Sequence, residues 1–357
     1  MISASIPLFI LLVAHDVTHA FTSHSFIHHG IQQKERGGQW GTDKTFQVGK
    51  QSSKHTLEMS AAEEESITAK EINSRLAIQL EKLKLKDATS KHLNKEDLVI
   101  LHEDEHIIVV DKPAGVLCVP TKDGSAPSLS QAVFDAFGSE SGRADKMVVH
   151  RLGMDTSGVV VFARTDRALR GMNTLFRTRK VTRSYEALVC GTIEESEGSI
   201  NLPLMRDYEF PPYMRVSTDE HQRALIGLDV EEVGKKVLER PKDSLTQYEV
   251  IGKEEFEGNA VSRVKLTSVT GRTHQLNVHC AAFGHPIVGD KVYGINGEAA
   301  PNGGLAEGTS SSKASAELQE SIAAAVGDKS MCVHAKTISF EHPVTGEKLS
   351  FESSASF

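Results

Sequence analysis

The sequence predicts a mixed α+β protein with a mainly antiparallel sheet and flanking helices. Short β-branched runs bounded by turn residues indicate strands at 98–101, 106–111, 148–150, 158–163, 185–190, 247–251 and 261–268. Between the fourth and fifth of these runs, the stretch 168–180 places Leu169, Met172, Leu175 and Phe176 on one helical face. Strands in runs, with helices set between some of them, are typical of the α+β class.

Length and composition favour one substantial domain with dispensable ends. The chain of 357 residues exceeds the usual size of a single domain, yet it is short for two large domains with tails. An apolar fraction of 39% and a charged fraction of 25% suit a soluble globular protein. The net charge of -8 argues against an uncomplicated nucleic-acid binder, because phosphate affinity comes from Lys and Arg. The distribution of charge therefore matters more than its total.

The N-terminal residues have the character of targeting segments. Residues 1–20 contain an apolar run at 6–14, too short to span a bilayer and typical of a signal peptide. Residues 21–60 are rich in Ser, Thr, His, Lys and Gln and poor in acids up to Asp43, as transit peptides are. This two-part presequence predicts a plastid protein with no membrane anchor in its mature form. Import into mitochondria, ordinary secretion and a disordered N-terminus are the alternatives.

Two further segments lie outside the strand pattern. Residues 61–96 are rich in Glu and Lys with apolar residues partly at helical spacing, which predicts a charged helix or linker. Residues 97–353 form the predicted main domain. Within it, residues 296–329 are dominated by Gly, Ala, Ser and Glu and lack aromatic residues, which indicates a flexible insertion. We expect deletion of this insertion to leave stability nearly unchanged.

The cysteines and histidines give no sign of a metal site. The cysteines have no CxxC or Cys/His ligand spacing and are interpreted as buried or free thiols: Cys118, Cys190, Cys280 and Cys332. Two disulfides in a secreted protein are the alternative.

Four separated blocks occur in the order found in one known family. They are 101–115, with Lys-Pro-Ala-Gly at its end; 149–158, with His-Arg-Leu-Gly-Met-Asp-Thr-Ser-Gly; 183–191, with Arg-Ser-Tyr; and 271–279, with Gly-Arg-Thr-His-Gln. A fifth stretch, Gly-His-Pro-Ile-Val-Gly-Asp at 284–290, follows them. Together these blocks resemble the RluA family of RNA pseudouridine synthases.

This resemblance implies an enzyme that isomerises uridine in structured RNA, either rRNA or tRNA. The uracil is cut from the ribose at its nitrogen, turned and rejoined through carbon, and the family needs no cofactor or metal. The target base has to leave its helix to be reached. Arg151 suits that step, since a guanidinium stacks on bases and pairs with phosphate. We expect a monomer.

The second block departs from the family at the residue that matters most for chemistry. Where the family has its catalytic aspartate, this chain has Gly153, and the nearest carboxylate is Asp155. In an extended segment Asp155 would face the same side as residue 153, about 6 to 7 Å along the strand. Asp155 is either the replacement catalytic carboxylate, lying 2.7 to 2.9 Å from Arg272, or a turn residue bonded to its own backbone. The first option predicts an active synthase and the second a catalytically impaired RNA-binding or ribosome-assembly protein.

Other family positions are matched. The resemblance places Arg272 where an arginine pairs with the catalytic carboxylate, and Tyr185 where a tyrosine packs on the uracil. Asn277 stands where a second arginine is common, which we interpret as the loss of one phosphate contact.

A basic passage follows the second block. Residues 164–183 carry seven cations and only one acid, Asp166. This asymmetry predicts an RNA-docking surface, on which the candidate contacts are Arg167, Arg170, Arg177 and Lys180. A solvated helix face is the alternative.

Overall fold

The computed structural model describes residues 67–357. The predicted segments 1–20 and 21–60 lie outside the described residues. The strands are β1 Val99–Glu103, β2 Ile107–Lys112, β3 Ser157–Ala163, β4 Thr182–Cys190, β5 Glu197–Asn201, β6 Leu204–Arg206, β7 Met214–Val216, β8 Leu245–Phe256, β9 Asn259–Ser268, β10 Val333–Glu341 and β11 Lys348–Glu352. The helices are α1 Ala69–Asp87, α2 Leu129–Phe137, α3 Asp166–Arg177, α4 Asp219–Ala224, α5 Val230–Val233, α6 Gln275–Phe283 and α7 Ala316–Val326. None of the helices in 67–357 has both the length and the apolar character of a transmembrane span.

One nine-stranded sheet forms the centre of the fold, in the order β1-β2-β3-β10-β4-β9-β8-β5, with β11 paired to β10. All of its pairings are antiparallel except β3 with β10. Strands β6 and β7 form a separate two-stranded sheet. The predicted α+β class with a mainly antiparallel sheet is therefore confirmed. The strand predicted at 148–150 is wrong, because Val148 makes only an isolated bridge to Phe162.

Strands β2 and β3 are buried on both faces of the sheet, which explains their continuous apolar runs. On one face, Val160 and Phe162 of β3 belong to the main buried cluster, together with α2 and α6. On the other face, Val159 and Val161 pack with α3. Tyr185 of β4 belongs to the main cluster. It therefore lies on the sheet face opposite α3.

A close backbone crossing lies where β3 meets β10 in the parallel pairing. Gly158 has φ +113, and a Cβ built on it would lie 2.3 Å from the carbonyl oxygen of Ala335. Only glycine fits this crossing without displacing one of the two strands. The glycine that ends the second block is therefore required by the fold itself.

Segment 61–96 contains α1, which begins with a capping box between Thr68 and Glu71. Its Ile72 is fully buried in a small cluster with Tyr208, Val233 and Val237. The charged helix predicted for this segment is thus a packed element of the fold.

The prediction that 296–329 is a flexible insertion is wrong. This segment forms α7, and its residues Ile322 and Val326 are buried against Leu188, Cys190 and Val261. The low aromatic content concealed the helix, because alanine and a few aliphatic residues suffice to cover the end of a sheet. The four cysteines are buried free thiols, as predicted.

We expect Ile322→Ala to lower the free energy of unfolding by about 2 to 4 kcal/mol, because it opens a cavity under α7. Chemical denaturation followed by fluorescence or circular dichroism measures the change. The control is Glu320→Ala on the exposed face of the same helix, which is expected to stay within about 0.5 kcal/mol of the parent. Equal stability of both variants would show that α7 does not stabilise the domain.

Candidate active site

The four sequence blocks converge on one buried cluster at the centre of the sheet. Tyr185 of β4 lies in this cluster with Leu152 of the second block and Leu276 of the fourth, and each is 8% exposed. In the strand register Tyr185 stands between Ala335 of β10 and Leu266 of β9. The tyrosine predicted to pack on a uracil ring is therefore held rigidly between two neighbouring strands.

Lys112, at the end of β2, fixes the loop of the second block. Its side chain is fully buried, and its ammonium donates hydrogen bonds to the carbonyl oxygens of Pro113, Met154 and Thr156 at 2.9, 3.0 and 2.8 Å. Burial lowers the pKa of Lys112 to about 8. The lysine of the first block thus clamps the backbone on both sides of Asp155.

Residues 153–156 form a tight turn and not the extended segment that we expected. The Thr156 amide donates to the Gly153 carbonyl at 3.2 Å. Asp155 therefore projects from the tip of a turn. The turn sets the distance between residues 153 and 155, so the spacing of about 6 to 7 Å expected for a strand does not apply.

The carboxylate of Asp155 accepts a hydrogen bond from Lys86 of α1, with an Nζ–Oδ2 distance of 2.6 Å. Within the described residues it has no hydrogen bond to Arg272 or to its own backbone. Both contacts expected from the sequence are therefore wrong. The catalytic role of Asp155 stays a prediction.

Gly153 does not need to be glycine for backbone reasons. Its φ lies outside the left-handed region, and a Cβ there would lie 3.4 Å from Oγ1 of Thr156, an ordinary contact. A side chain, including the aspartate of the family, is compatible with this turn.

The fourth block is organised around the buried amide of Gln275. Its Oε1 accepts from the Thr270 hydroxyl and the Arg272 amide at 2.8 and 3.1 Å, and its Nε2 donates to the Leu245 carbonyl and the Thr246 hydroxyl, both at 3.0 Å. The whole hydrogen-bonding capacity of the amide is used. The turn that carries Arg272 is therefore well determined.

Arg272 itself faces a different partner from the one expected. Its Nε donates to the carbonyl oxygen of Asp243 at 3.1 Å. Its side chain lines a small cavity together with Arg206, Arg240 and Lys242. The acid Glu239 lines the same cavity. Arg272 thus lies among other charged residues, while Lys86 pairs with Asp155.

The side chain of Asn277 is bonded within the protein, and its interpretation as a lost phosphate contact stays a prediction. Its Nδ2 donates to Oδ2 of Asp290 at 2.8 Å. The other oxygen of Asp290 accepts from the amides of Val292 and Tyr293, both at 2.9 Å. Burial raises the pKa of Asp290, and the charge of Asp155 adds to that shift. Since the oxygens of Asp290 are already bonded, Asp155 is the better candidate for chemistry.

Cations from distant parts of the chain surround the site, and we call Lys86, Lys122, Arg151, Arg206 and Lys236 the cationic cleft. Burial lowers the pKa of His274 to about 4, with further lowering by Arg206, Lys86 and Arg151. The pKa of Lys236 is lowered by burial and by Arg206, Lys122 and Arg151. These effects place the cations within electrostatic range of His274 or Lys236.

Sequence reasoning found only Arg151 among these residues. The others are scattered over 150 residues of sequence, from Lys86 to Lys236, and no local pattern identifies them. Their grouping depends on α1, β6 and the segment after α5 coming together in the fold.

The basic passage lies on a different face. Because α3 packs on the sheet face opposite the Tyr185 cluster, Arg167, Arg170 and Arg177 are carried by an element on the other side of the sheet from that cluster. They are exposed, as is Lys180, and none of the four forms an ion pair within the described residues. The C-terminal end of α3 does approach the second block, where the Phe176 ring lies 5.1 Å from His150.

Comparison with known proteins agrees with this arrangement. A family model described as RNA pseudouridylate synthase matches residues 106–282. The dual-specificity RNA pseudouridine synthase RluA of Pasteurella multocida is 35% identical over 260 residues, which are 73% of this chain and 94% of that protein. The protein of the same name from Escherichia coli K12 is 33% identical over 260 residues, with the same coverage of 73% and 94%.

The solved structure of human RNA pseudouridylate synthase domain containing 1 is also similar. Its TM-score is 0.52 at 26% identity, over 75% of this chain and 87% of that one. The sequence blocks, the cluster that they form around Tyr185 and these likenesses all agree, and the chain belongs to the RluA-type family of RNA pseudouridine synthases.

Proposed function

We propose that this protein converts uridine to pseudouridine in structured RNA and that Asp155 supplies the carboxylate of the reaction. The observation that carries the proposal is the turn 153–156, which presents a carboxylate beside the cationic cleft on a backbone clamped by Lys112. The reaction breaks the bond between ribose C1′ and uracil N1 and forms one between C1′ and C5. The proton lost from C5 and the proton gained at N1 balance, so the net change is an isomerisation.

The cationic cleft supports RNA as the substrate in spite of the net charge of -8. Phosphate contacts supply most of the affinity of proteins for RNA, and they require local and not overall positive charge. Curated relatives are named as dual-specificity RNA pseudouridine synthases. We infer that the substrate is rRNA or tRNA whose target base leaves its helix to reach Tyr185.

The assay for this proposal uses purified protein and transcribed rRNA and tRNA from the source organism. Pseudouridine is detected by carbodiimide labelling and primer extension. We expect at least one uridine to be converted by the wild type. The absence of conversion in any of these RNAs would contradict the proposal.

A catalytically impaired RNA-binding protein is the second candidate. It is favoured by Gly153 and by the pairing of Asp155 with Lys86 in place of Arg272. This candidate predicts that the wild type binds RNA and forms no pseudouridine. It also predicts that the Gly153→Asp variant does form pseudouridine.

The exposed cations of α3 are proposed as a second RNA contact, on the flank of the domain. We expect the triple change Arg167→Gln, Arg170→Gln and Arg177→Gln to weaken RNA binding and to reduce the slope of log K against log salt by about 2 to 3. Filter binding at several salt concentrations measures both quantities. The control is Arg143→Gln, an exposed arginine paired with Asp145 at 2.8 Å. An unchanged salt slope in the triple variant would mean that α3 does not dock RNA.

The plastid location is also a proposal, supported by the apolar run at 6–14 and the acid-poor stretch that follows it. Residues 1–60 fused to a fluorescent protein are expected to direct it to the plastid. Location in mitochondria or secretion of the fusion would contradict this. We expect the mature protein to be a monomer, which sedimentation tests.

A further inference from the structure

We propose that Lys86 is a positioning residue for the reaction, which holds the Asp155 carboxylate in the role that an arginine of the fourth block has in the family. The inference rests on the proposed function of Asp155. It assigns part of the active site to α1, which precedes the residues 106–282 matched by the family model.

The contact between the two side chains is short and unshared. Lys86 Nζ lies 2.6 Å from Asp155 Oδ2, and no other residue in 67–357 donates a hydrogen bond to this carboxylate. Both side chains are 39% exposed. An ion pair with this exposure contributes little to folding stability, so its main effect is to direct the carboxylate.

The backbone of Asp155 is fixed independently of Lys86. Lys112 binds the carbonyl oxygens of the residues before and after Asp155, at 3.0 and 2.8 Å, and the Gly115 amide donates to Met154 at 2.9 Å. The remaining freedom of Asp155 is rotation of its own side chain. Lys86 is the group that restricts this rotation.

Lys86 is itself held in place because α1 is anchored on both sides. Near its beginning, Ile72 is fully buried and Asn73 donates to the Glu232 carbonyl at 2.8 Å. Just after its end, the Ser90 hydroxyl donates to the Pro127 carbonyl at 2.7 Å. The helix thus spans from the α5 region to the segment that leads into α2, with Lys86 in its last turn.

The positive charge has a second consequence when RNA is bound. Phosphates in the cationic cleft repel a carboxylate at 155, and at distances of a few ångströms a neighbouring cation offsets this repulsion. Lys86 therefore keeps a carboxylate usable next to a polyanion. Arg272 is free of that task and faces the cavity with Arg206 and Arg240.

The test compares Lys86→Gln and Lys86→Arg with the wild-type protein in single-turnover pseudouridine formation. We expect Lys86→Gln to lower the rate by about 10- to 100-fold through misplacement of the carboxylate. The loss of RNA affinity is expected to be much smaller, because the charge of Lys86 is already paired with Asp155. Arginine at 86 is expected to restore most of the rate. The control is Lys84→Gln on the same helix, whose lysine pairs with Glu81 at 2.7 Å; it is expected to react like the wild type.

A second background separates positioning from direct RNA contact. In the double variant Gly153→Asp with Asp155→Asn, the carboxylate stands at 153, and Lys86→Gln is expected to have no further effect on the rate. An equal loss of rate in both backgrounds would show that Lys86 binds phosphate and would overturn the inference. A loss of RNA affinity as large as the loss of rate would have the same meaning. If the double variant is inactive, the RNA affinity of Lys86→Gln and the rate of Lys86→Arg decide whether Lys86 positions the carboxylate.

The two proposals fail in different ways. A wild type that forms no pseudouridine rejects the proposed function together with this inference. An active wild type with Lys86→Gln reacting at the same rate rejects the role of Lys86 alone.

Discussion

Replacing Asp155 by asparagine is expected to lower the rate of pseudouridine formation by about a thousandfold or more, because the change removes the charge that reacts and keeps the shape of the side chain. RNA affinity is expected to stay equal or to rise slightly, since a negative charge next to the cationic cleft is lost. Single-turnover conversion and filter binding on the same RNA measure the two effects. The matched control is Asp145→Asn, a surface carboxylate paired with Arg143.

Equal conversion by the wild type and Asp155→Asn would reject the catalytic assignment. The Gly153→Asp variant then becomes informative, because its side chain meets only an ordinary 3.4 Å contact with Thr156. If this variant forms pseudouridine and the wild type does not, the chain has kept the RNA-binding site of the family without its nucleophile.

Gly158→Ala is expected to destabilise the domain by about 3 kcal/mol or more. The new Cβ would lie 2.3 Å from the Ala335 carbonyl oxygen, and the backbone has φ +113, which alanine rarely adopts. Neither strand can move without disturbing the pairing of β3 with β10. The melting temperature is expected to fall by roughly 6 to 12 °C.

The matched control for this change is Gly153→Ala, in the same block, where a Cβ has room. We expect its melting temperature to stay close to that of the parent. A Gly158→Ala variant as stable as this control would mean that the crossing of β3 and β10 is looser than the structure indicates.

Much of the sheet could be predicted from local pattern. Strands β2 and β3 are β-branched runs that burial on both faces keeps apolar. Strands β4 and β9 carry valine and threonine among charged residues such as Glu186 and Lys265, and their pattern still predicts strands. The sequence pattern did not identify β5, β6, β7, β10 or β11. Of these, β10 has nine residues, with polar residues set between its apolar ones. The other four have only three to five residues. Short strands lack the alternation that identifies longer ones.

The errors at 296–329 and 148–150 have a common cause. Composition made the first segment look like a loop, although two aliphatic residues of α7, Ile322 and Val326, are enough to pack it on the sheet. An apolar run made 148–150 look like a strand, although Val148 has only one bridge. Local composition does not report whether a neighbouring element offers a surface or a hydrogen-bonding edge.

The sequence by itself determined the family, the order of the blocks and the residue types of the site, because these are carried by short motifs whose meaning is local. The tertiary structure alone decided the partner of Asp155, which is Lys86, 69 positions away in the chain. It also decided that the cluster around Tyr185 lies on one side of the sheet and α3 on the other. Ion pairs and charge clusters of this kind depend on which elements pack together, and packing joins residues whose separation in sequence leaves no periodic signal.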